Sequence, residues 1–262
     1  MSNREDDHVK QLTRLASAYR LAEAAVVRAF FKKRRTKKEH LRWLKAQGFK
    51  EYSAIKPIIQ ALTALYPSID RGIHRRDYAE LTKKLADETK HARLVMDLLQ
   101  EISGAKITPR DLTWLPEDRK LAKVRAKYSK GFAGLLHGAT EVTAKEMRRK
   151  DEQLERAAIT LTEGGGGALY LVCSRLKKHG IEERIARAFH EILHDEVEHK
   201  DTGARALVPL LKNEASFRRT VKIIREISAQ RLRMRNEQFG FPLSGKALEA
   251  LDQRARNLAK SI

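Results

Sequence analysis

The chain has 262 residues, which allows one large domain or two small ones. Charged residues make up 34% and hydrophobic residues 42% of the sequence, a composition that indicates a globular rather than a disordered protein. Lys and Arg number 54 against 34 Asp and Glu, so the formal net charge of +20 favours anionic partners. The single cysteine, Cys173, excludes an intramolecular disulfide and any cysteine-rich zinc module.

The N-terminal residues are polar and contain no apolar core of a signal peptide. No run of about 18 apolar residues occurs, so the sequence predicts no transmembrane segment. We therefore expect a cytoplasmic protein.

Apolar residues recur at spacings of three and four, and no stretch alternates with period two, which predicts an all-α fold. We expect one helical domain over residues 1–262. The predicted helices cover 9–34, 41–46, 57–66, 77–102, 140–179 (interrupted at 164–167), 182–212, 215–234 and 245–259, and a helical pattern also resumes by about residue 121. The longest segments, 9–34, 77–102, 140–179 and 182–212, suggest a four-helix bundle core, with additional helices that include those of 215–262.

Two predicted helices carry the pattern Asp-Glu-x-x-His, at 87–91 and at 195–199. Glu and His three residues apart lie on one side of a helix, and here both pairs point towards the apolar face. A buried carboxylate without a partner costs several kcal/mol, and a divalent metal ion removes that cost. The pattern predicts the metal ligands Glu88, His91, Glu196 and His199.

A dinuclear site needs two further inward carboxylates. Glu23 lies at the centre of the apolar face of the first helix. Glu163 precedes Glu196 by 33 residues, and two antiparallel helices joined by a short turn near Gly180 would bring these two residues to the same level. Glu51 is the alternative to Glu23, but it precedes Pro57, which favours a position outside a helix interior.

The order Glu23, Glu88/His91, Glu163 and Glu196/His199 resembles that of the ferritin-like di-iron carboxylate superfamily. The resemblance implies a ferritin-like four-helix bundle that holds two Fe ions, or one Fe and one Mn. It also implies an oxidoreductase that activates dioxygen to oxidise or hydroxylate a substrate, with electrons from an external donor.

Residues around the predicted ligands suggest supporting roles. A metal-bound histidine usually donates its second ring N–H to a carboxylate, so we expect Asp195 to orient His91 and Asp87 to orient His199. The glycines at 164–167 form either a loop or a widened helical turn beside the metal, the latter with room for dioxygen and substrate. Tyr170 and Tyr19 would then line that cavity as candidate catalytic residues, although a tyrosine at such a position is more often part of the core.

The residues at 195–203 resemble the corresponding helix of the di-iron hydroxylases of ubiquinone biosynthesis. The long insertion after the first Glu looks more like the di-iron tRNA hydroxylases. The net charge fits a nucleic-acid or other polyanionic substrate. Candidate phosphate contacts are the basic runs 32–38, 71–76, 120–130 and 218–235, each of which can also be a solvated helix face.

Two other functions fit the sequence. His190, Glu191 and His194 match His-Glu-x-x-His, the signature of zinc metallohydrolases, but they lie off the apolar stripe of their helix. A non-enzymatic basic helical module that binds nucleic acid is the second alternative. It would keep its partner after replacement of Glu88 and Glu196.

Overall fold

The computed structural model describes residues 3–69, 75–128, 150–163, 166–176, 179–197 and 202–258, and over these ranges the protein is all-α with no strand. The helices are α1 (Asn3–Phe31), α2 (Lys37–Leu65), α3 (Arg75–Ser103), α4 (Pro116–Tyr128), α5 (Lys150–Glu163), α6 (Gly166–Cys173), α7 (Gly180–Val197), α8 (Thr202–Leu207), α9 (Glu214–Gln238) and α10 (Gly245–Leu258). No helix within these ranges combines the length and the apolar character needed to cross a membrane.

Helix α2 is continuous, whereas the sequence predicted two short helices at 41–46 and from residue 57. Thr36 caps its start, accepting a hydrogen bond from the Glu39 backbone while the Glu39 carboxylate accepts one from Thr36. Pro57 lies inside the helix and is buried, as are Ile58 and Ala61 beyond it. The apolar face thus continues past the proline, and its burial offsets the lost backbone hydrogen bond.

Helices α2 and α3 form an antiparallel pair. Lys37, at the start of α2, donates a 3.1 Å hydrogen bond to the carbonyl of Ser103 at the end of α3. Midway along the pair, a Cβ atom built on Gly48 would lie 3.4 Å from Val95 and 2.9 Å from Leu112. Gly48 therefore sits where the two helices come closest.

Helix α7 packs antiparallel to α3 and also packs against α6. Arg184 near the start of α7 lies 3.4 Å from Glu101, and Asp195 near its end lies 2.8 Å from Lys90. Helices α1, α2, α3, α6 and α7 enclose one apolar core, whose largest fully buried side chains include Trp43, Phe30 and Phe189.

Helix α9 packs against α1, α4 and α5. α1 also contacts α6 and α10, so α2, rather than α1, is the helix paired along α3. Of the predicted helix 182–212, the structure describes α7 as far as Val197 and α8 from Thr202, and α8 ends at Leu207, where a 3₁₀ turn with Pro209 in it follows. Proline lacks the N–H that a continuing helix needs.

We expect Gly48→Val to lower the free energy of unfolding by about 1–3 kcal/mol, because the new side chain overlaps Leu112 and Val95. Denaturant unfolding followed by circular dichroism measures the change. Gly245→Val is the matched control, since nothing lies within 4 Å of its Cβ position. An equal loss in both variants would contradict the close packing of α2 on α3.

Candidate metal centre

Three potential metal ligands converge between α2 and α3. Single ligand atoms of Glu51, Glu88 and His91 all lie within 4.8 Å of one another. The antiparallel pairing brings the middle of α2 opposite Glu88, and the three-residue spacing places His91 on the same side of α3. Glu51 and His91 are buried, and Glu88 is partly buried.

His91 is oriented by α7. Its Nε2 lies 3.1 Å from Oδ2 of Asp195, the contact that the sequence led us to expect. Burial acts to raise the pKa of Asp195, but the hydrogen bonds from Lys90 and His91 outweigh it and hold that pKa below its ordinary value. An ionised carboxylate only accepts hydrogen bonds, so Nε2 of neutral His91 carries the proton.

When His91 is neutral, its other ring nitrogen is a lone-pair donor. Nδ1 is buried, has no hydrogen-bond partner among the described residues, and lies 3.9 Å from Oε1 of Glu196. A buried polar atom without a partner is rare in folded proteins. Besides Glu196, carboxylate oxygens of Glu51 and Glu88 lie within 4.8 Å of a ring nitrogen of this histidine. That arrangement suits a cation held between them.

The carboxylates of this cluster perturb one another. Burial, together with the negative charge of Glu51, raises the pKa of Glu88 to about 8 and that of Glu196 to about 7. Glu163 at the end of α5 adds to both shifts. Its own pKa is lowered, because the charges of Lys84, Arg125 and Arg231 outweigh its burial. Without a cation, the cluster therefore retains protons at neutral pH.

Glu51 is fixed by two donors. Gln47, one turn earlier on α2, donates from Nε2 to Oε1 of Glu51 at 2.5 Å, and the Tyr170 hydroxyl on α6 donates to the same oxygen at 2.9 Å. Burial and then the charge of Glu51 raise the pKa of Tyr170 well above its ordinary value, so the phenol keeps its proton. Oε1 thus has both lone pairs engaged, and Oε2 keeps the remaining acceptor capacity.

A network of buried polar side chains forms hydrogen bonds with Gln47. Its Oε1 accepts hydrogen bonds from Gln238 Nε2 at 2.9 Å and from Arg235 Nη1 at 3.4 Å. Arg235 also donates to Glu23 at 3.3 Å, and all these side chains are buried. The network connects Glu51 to α9 and α1, so the position of Glu51 depends on helices outside the pair that carries the cluster.

The structure separates two predicted residues from this cluster. Glu23 is buried as expected, but its carboxylate lies against Arg235 and is 4.0 Å from Arg231, so arginines rather than a metal account for its burial. The Tyr19 hydroxyl donates to Asp252 of α10 at 2.7 Å, in a different apolar cluster. Glu51, the alternative to Glu23, is the carboxylate that meets Glu88 and His91. It lies inside α2, contrary to the position predicted from Pro57.

Some predictions concern residues outside the described ranges. The predicted ligand His199 lies outside these ranges, and so does its expected contact with Asp87. α5 ends at Glu163 and α6 begins at Gly166, while Gly164 and Gly165 are outside.

The sequence analysis missed Gln47, Gln238 and Arg235. The spacing of Gln47 one turn before Glu51 was the available signal. Arg235 ends the basic run 218–235, which resembles a solvated helix face although Arg231 and Arg235 are buried, and Gln238 lies three residues beyond it.

The metal-free protein should become less stable as pH rises. Unfolding returns Glu88 to its ordinary pKa, so between about pH 5 and pH 8 the unfolded state releases a proton that the folded state keeps. We expect the free energy of unfolding to fall by roughly 2 kcal/mol relative to Glu88→Gln over that range. Thermal and urea unfolding of chelator-treated protein measure it.

The comparison with Glu88→Gln is needed because other groups titrate in the opposite sense. Burial lowers the pKa of His40 to about 4 and that of Lys50 to about 7, so both destabilise the fold as pH falls. These contributions are common to both proteins. Parallel pH profiles for the wild type and Glu88→Gln would contradict the raised pKa of Glu88.

Comparison of the chain with protein-family models, with curated proteins and with solved structures finds no match in any of the three. The functional argument for this chain therefore depends on the residues of the site itself.

Proposed function

We propose that the protein is an oxidoreductase whose helices α2, α3, α5 and α7 hold a dinuclear carboxylate centre of two Fe ions, or of one Fe and one Mn. Its ligands would be Glu51, Glu88, His91, Glu163, Glu196 and His199. The fold we propose for this part is a ferritin-like four-helix bundle, with α1, α4, α9 and α10 among the additional helices. Dioxygen would be activated there to oxidise or hydroxylate a substrate.

One observation carries the proposal. The Nδ1 atom of His91 is buried without a hydrogen-bond partner among the described residues and lies 3.9 Å from Glu196, while Nε2 is engaged by Asp195. A ring nitrogen of the same histidine lies within 4.8 Å of carboxylate oxygens of Glu51 and Glu88. A protein-bound metal ion is typically ligated by a histidine whose second nitrogen donates to a carboxylate. The side chains are therefore arranged as a ligand set before any metal ion is considered.

The donor types agree with iron or manganese. Carboxylate oxygens and imidazole suit these metals, whereas soft thiolate ligands select Cu(I), Zn and Fe–S clusters. The single thiol, Cys173, is buried, and its pKa is raised by burial, so it is no rival ligand. Bound in this cluster, a pair of redox-active ions would supply electrons to dioxygen.

The protein's own groups have definable tasks around such a centre. Tyr170 keeps a proton on its hydroxyl and presents it to Oε1 of Glu51. Asp195, itself paired with Lys90, holds the proton on Nε2 of His91. Phe189 packs against Tyr170 at a ring distance of 5.9 Å and excludes water from that side. The site would thus combine ligands held in fixed positions with an apolar side formed by these aromatic rings.

The net charge of the chain bears on the class of substrate. The net charge of +20 supports an anionic substrate, such as RNA or a molecule linked to an acidic carrier. Electrons would come from an external donor, as the resemblance implies.

The zinc motif is less well supported by its surroundings. His190, Glu191 and His194 are all exposed on the outer face of α7. The group of ligand-type side chains found among the described residues contains none of the three. A catalytic zinc site needs a third protein ligand and a shaped cavity.

Metal content separates these functions. We expect about two iron ions, or one iron and one manganese, per chain after expression in supplemented medium, measured by elemental mass spectrometry. Glu51→Gln and Glu88→Gln should each retain less than about half of that metal, since each removes a ligand. Glu23→Gln should retain it, because Glu23 is paired with arginines.

Glu80→Gln is the exposed control on α3 and should bind metal as the wild type does. Loss of metal in Glu23→Gln but not in Glu51→Gln would restore Glu23 as the ligand. One zinc ion per chain, lost on His190→Ala, would instead favour the metallohydrolase. No metal under any loading condition would leave the basic binding module.

A further inference from the structure

A second charged cluster lies where α4, α5 and α9 meet. Arg125 on α4 and Arg231 on α9 both point into this junction, beside Thr162 and Glu163 at the end of α5. Arg231 lies 3.5 Å from the Thr162 hydroxyl, and Arg125 lies 3.6 Å from Oε1 of Glu163. The proposed function uses neither arginine.

The two guanidinium groups are close enough to repel each other. Burial and then the positive charge of Arg125 lower the pKa of Arg231 to about 10. Both side chains are well covered, with 20% of Arg125 and 6% of Arg231 exposed. Placing two like charges together away from water is costly unless an anion lies between them.

The carboxylates near these two arginines are those of Glu23 and Glu163. Glu23 makes its closer contact with Arg235, at 3.3 Å, and lies 4.0 Å from Arg231. Glu163 is the carboxylate next to Arg125, but at 3.6 Å. Among the described residues, three guanidinium groups are therefore compensated by two carboxylates.

Each of these two arginines has an unused hydrogen-bond donor, and that of Arg231 lies 4.0 Å from Glu23 Oε1. The Nε atoms of Arg125 and Arg231 are buried and have no hydrogen-bond partner among the described residues. Guanidinium groups bind carboxylate and phosphate oxygens through such donors. Glu163 keeps 31% of its side chain exposed, so solvent and a ligand can reach the junction past it.

We propose that Arg125 and Arg231 form a binding site for an oxyanion, a phosphate or carboxylate group of a ligand, at the junction of α4, α5 and α9. The hydroxyl of Thr162 lies beside it as a further donor. Glu163 occupies part of the site in the structure and acts as an internal competitor for Arg125.

The location connects this site to the carboxylate cluster. Glu163 also contributes to the raised pKa of Glu88 and Glu196, so it lies between the two clusters. If Glu163 turns to a metal ion, as the proposed function requires, Arg125 loses its carboxylate and is free to bind the ligand. The anionic group of a substrate would then be anchored next to the metal centre. This last step rests on the proposed function, whereas the oxyanion site does not.

The test is calorimetric titration of metal-free full-length protein with phosphate, pyrophosphate and acetate, after dialysis of the chelator and at constant ionic strength. We expect Glu163→Gln to bind the preferred anion about tenfold more tightly than the wild type, because Arg125 is released. Adding Arg125→Gln to this variant should weaken binding about tenfold. Tighter phosphate binding indicates a phosphorylated ligand, and tighter acetate binding indicates a carboxylate.

Charge-matched controls come from an exposed ion pair on α3. Glu80→Gln should not increase affinity, and Arg76→Gln in the Glu163→Gln background should not decrease it. No anion binding by Glu163→Gln, or an equal loss in the Arg76 and Arg125 variants, would overturn the proposal. Arg231→Gln removes a nearly buried charge and affects folding, so the less buried Arg125 carries the test. Because no metal is present, failure here is distinct from failure of the metal-content experiment.

Discussion

The arrangement of the protein depends on carboxylates that lie inside an apolar helical core. Glu51, Glu88 and Glu196 repel one another there, and burial disfavours their charged forms. Such a cluster persists only when protons, donors or cations compensate it. The structure provides donors to Glu51, a carboxylate partner for His91 and raised pKa values for the other two. Each of these features follows from the same electrostatic constraint.

The sequence was sufficient for the fold class and for part of the cluster. Periodic apolar residues predicted an all-α protein, and Glu88 and His91 were identified because their three-residue spacing is local to one helix. The contact of Asp195 with His91 was expected from chemistry alone. It could be anticipated because each partner already had a reason to lie on an inward helical face.

Long-range pairing was less accessible from sequence. Glu51 was given second place because Pro57 suggested a helix boundary, and only the packing of α2 on α3 shows why the helix continues. Glu23 is inward-facing, as expected, yet its partners Arg231 and Arg235 come from a helix about two hundred residues later. A pattern on one helix reveals which side chains are buried, but not which charges meet them.

The hydrogen bond between His91 and Asp195 has a consequence for how quickly the site could exchange an ion. Since Asp195 is charged and anchored by Lys90, His91 is held in one tautomer and one ring orientation by protein contacts alone. An arriving cation would meet a nitrogen that already presents its lone pair, with little reorganisation energy left to supply. Binding at this nitrogen would therefore require little movement of the His91 ring.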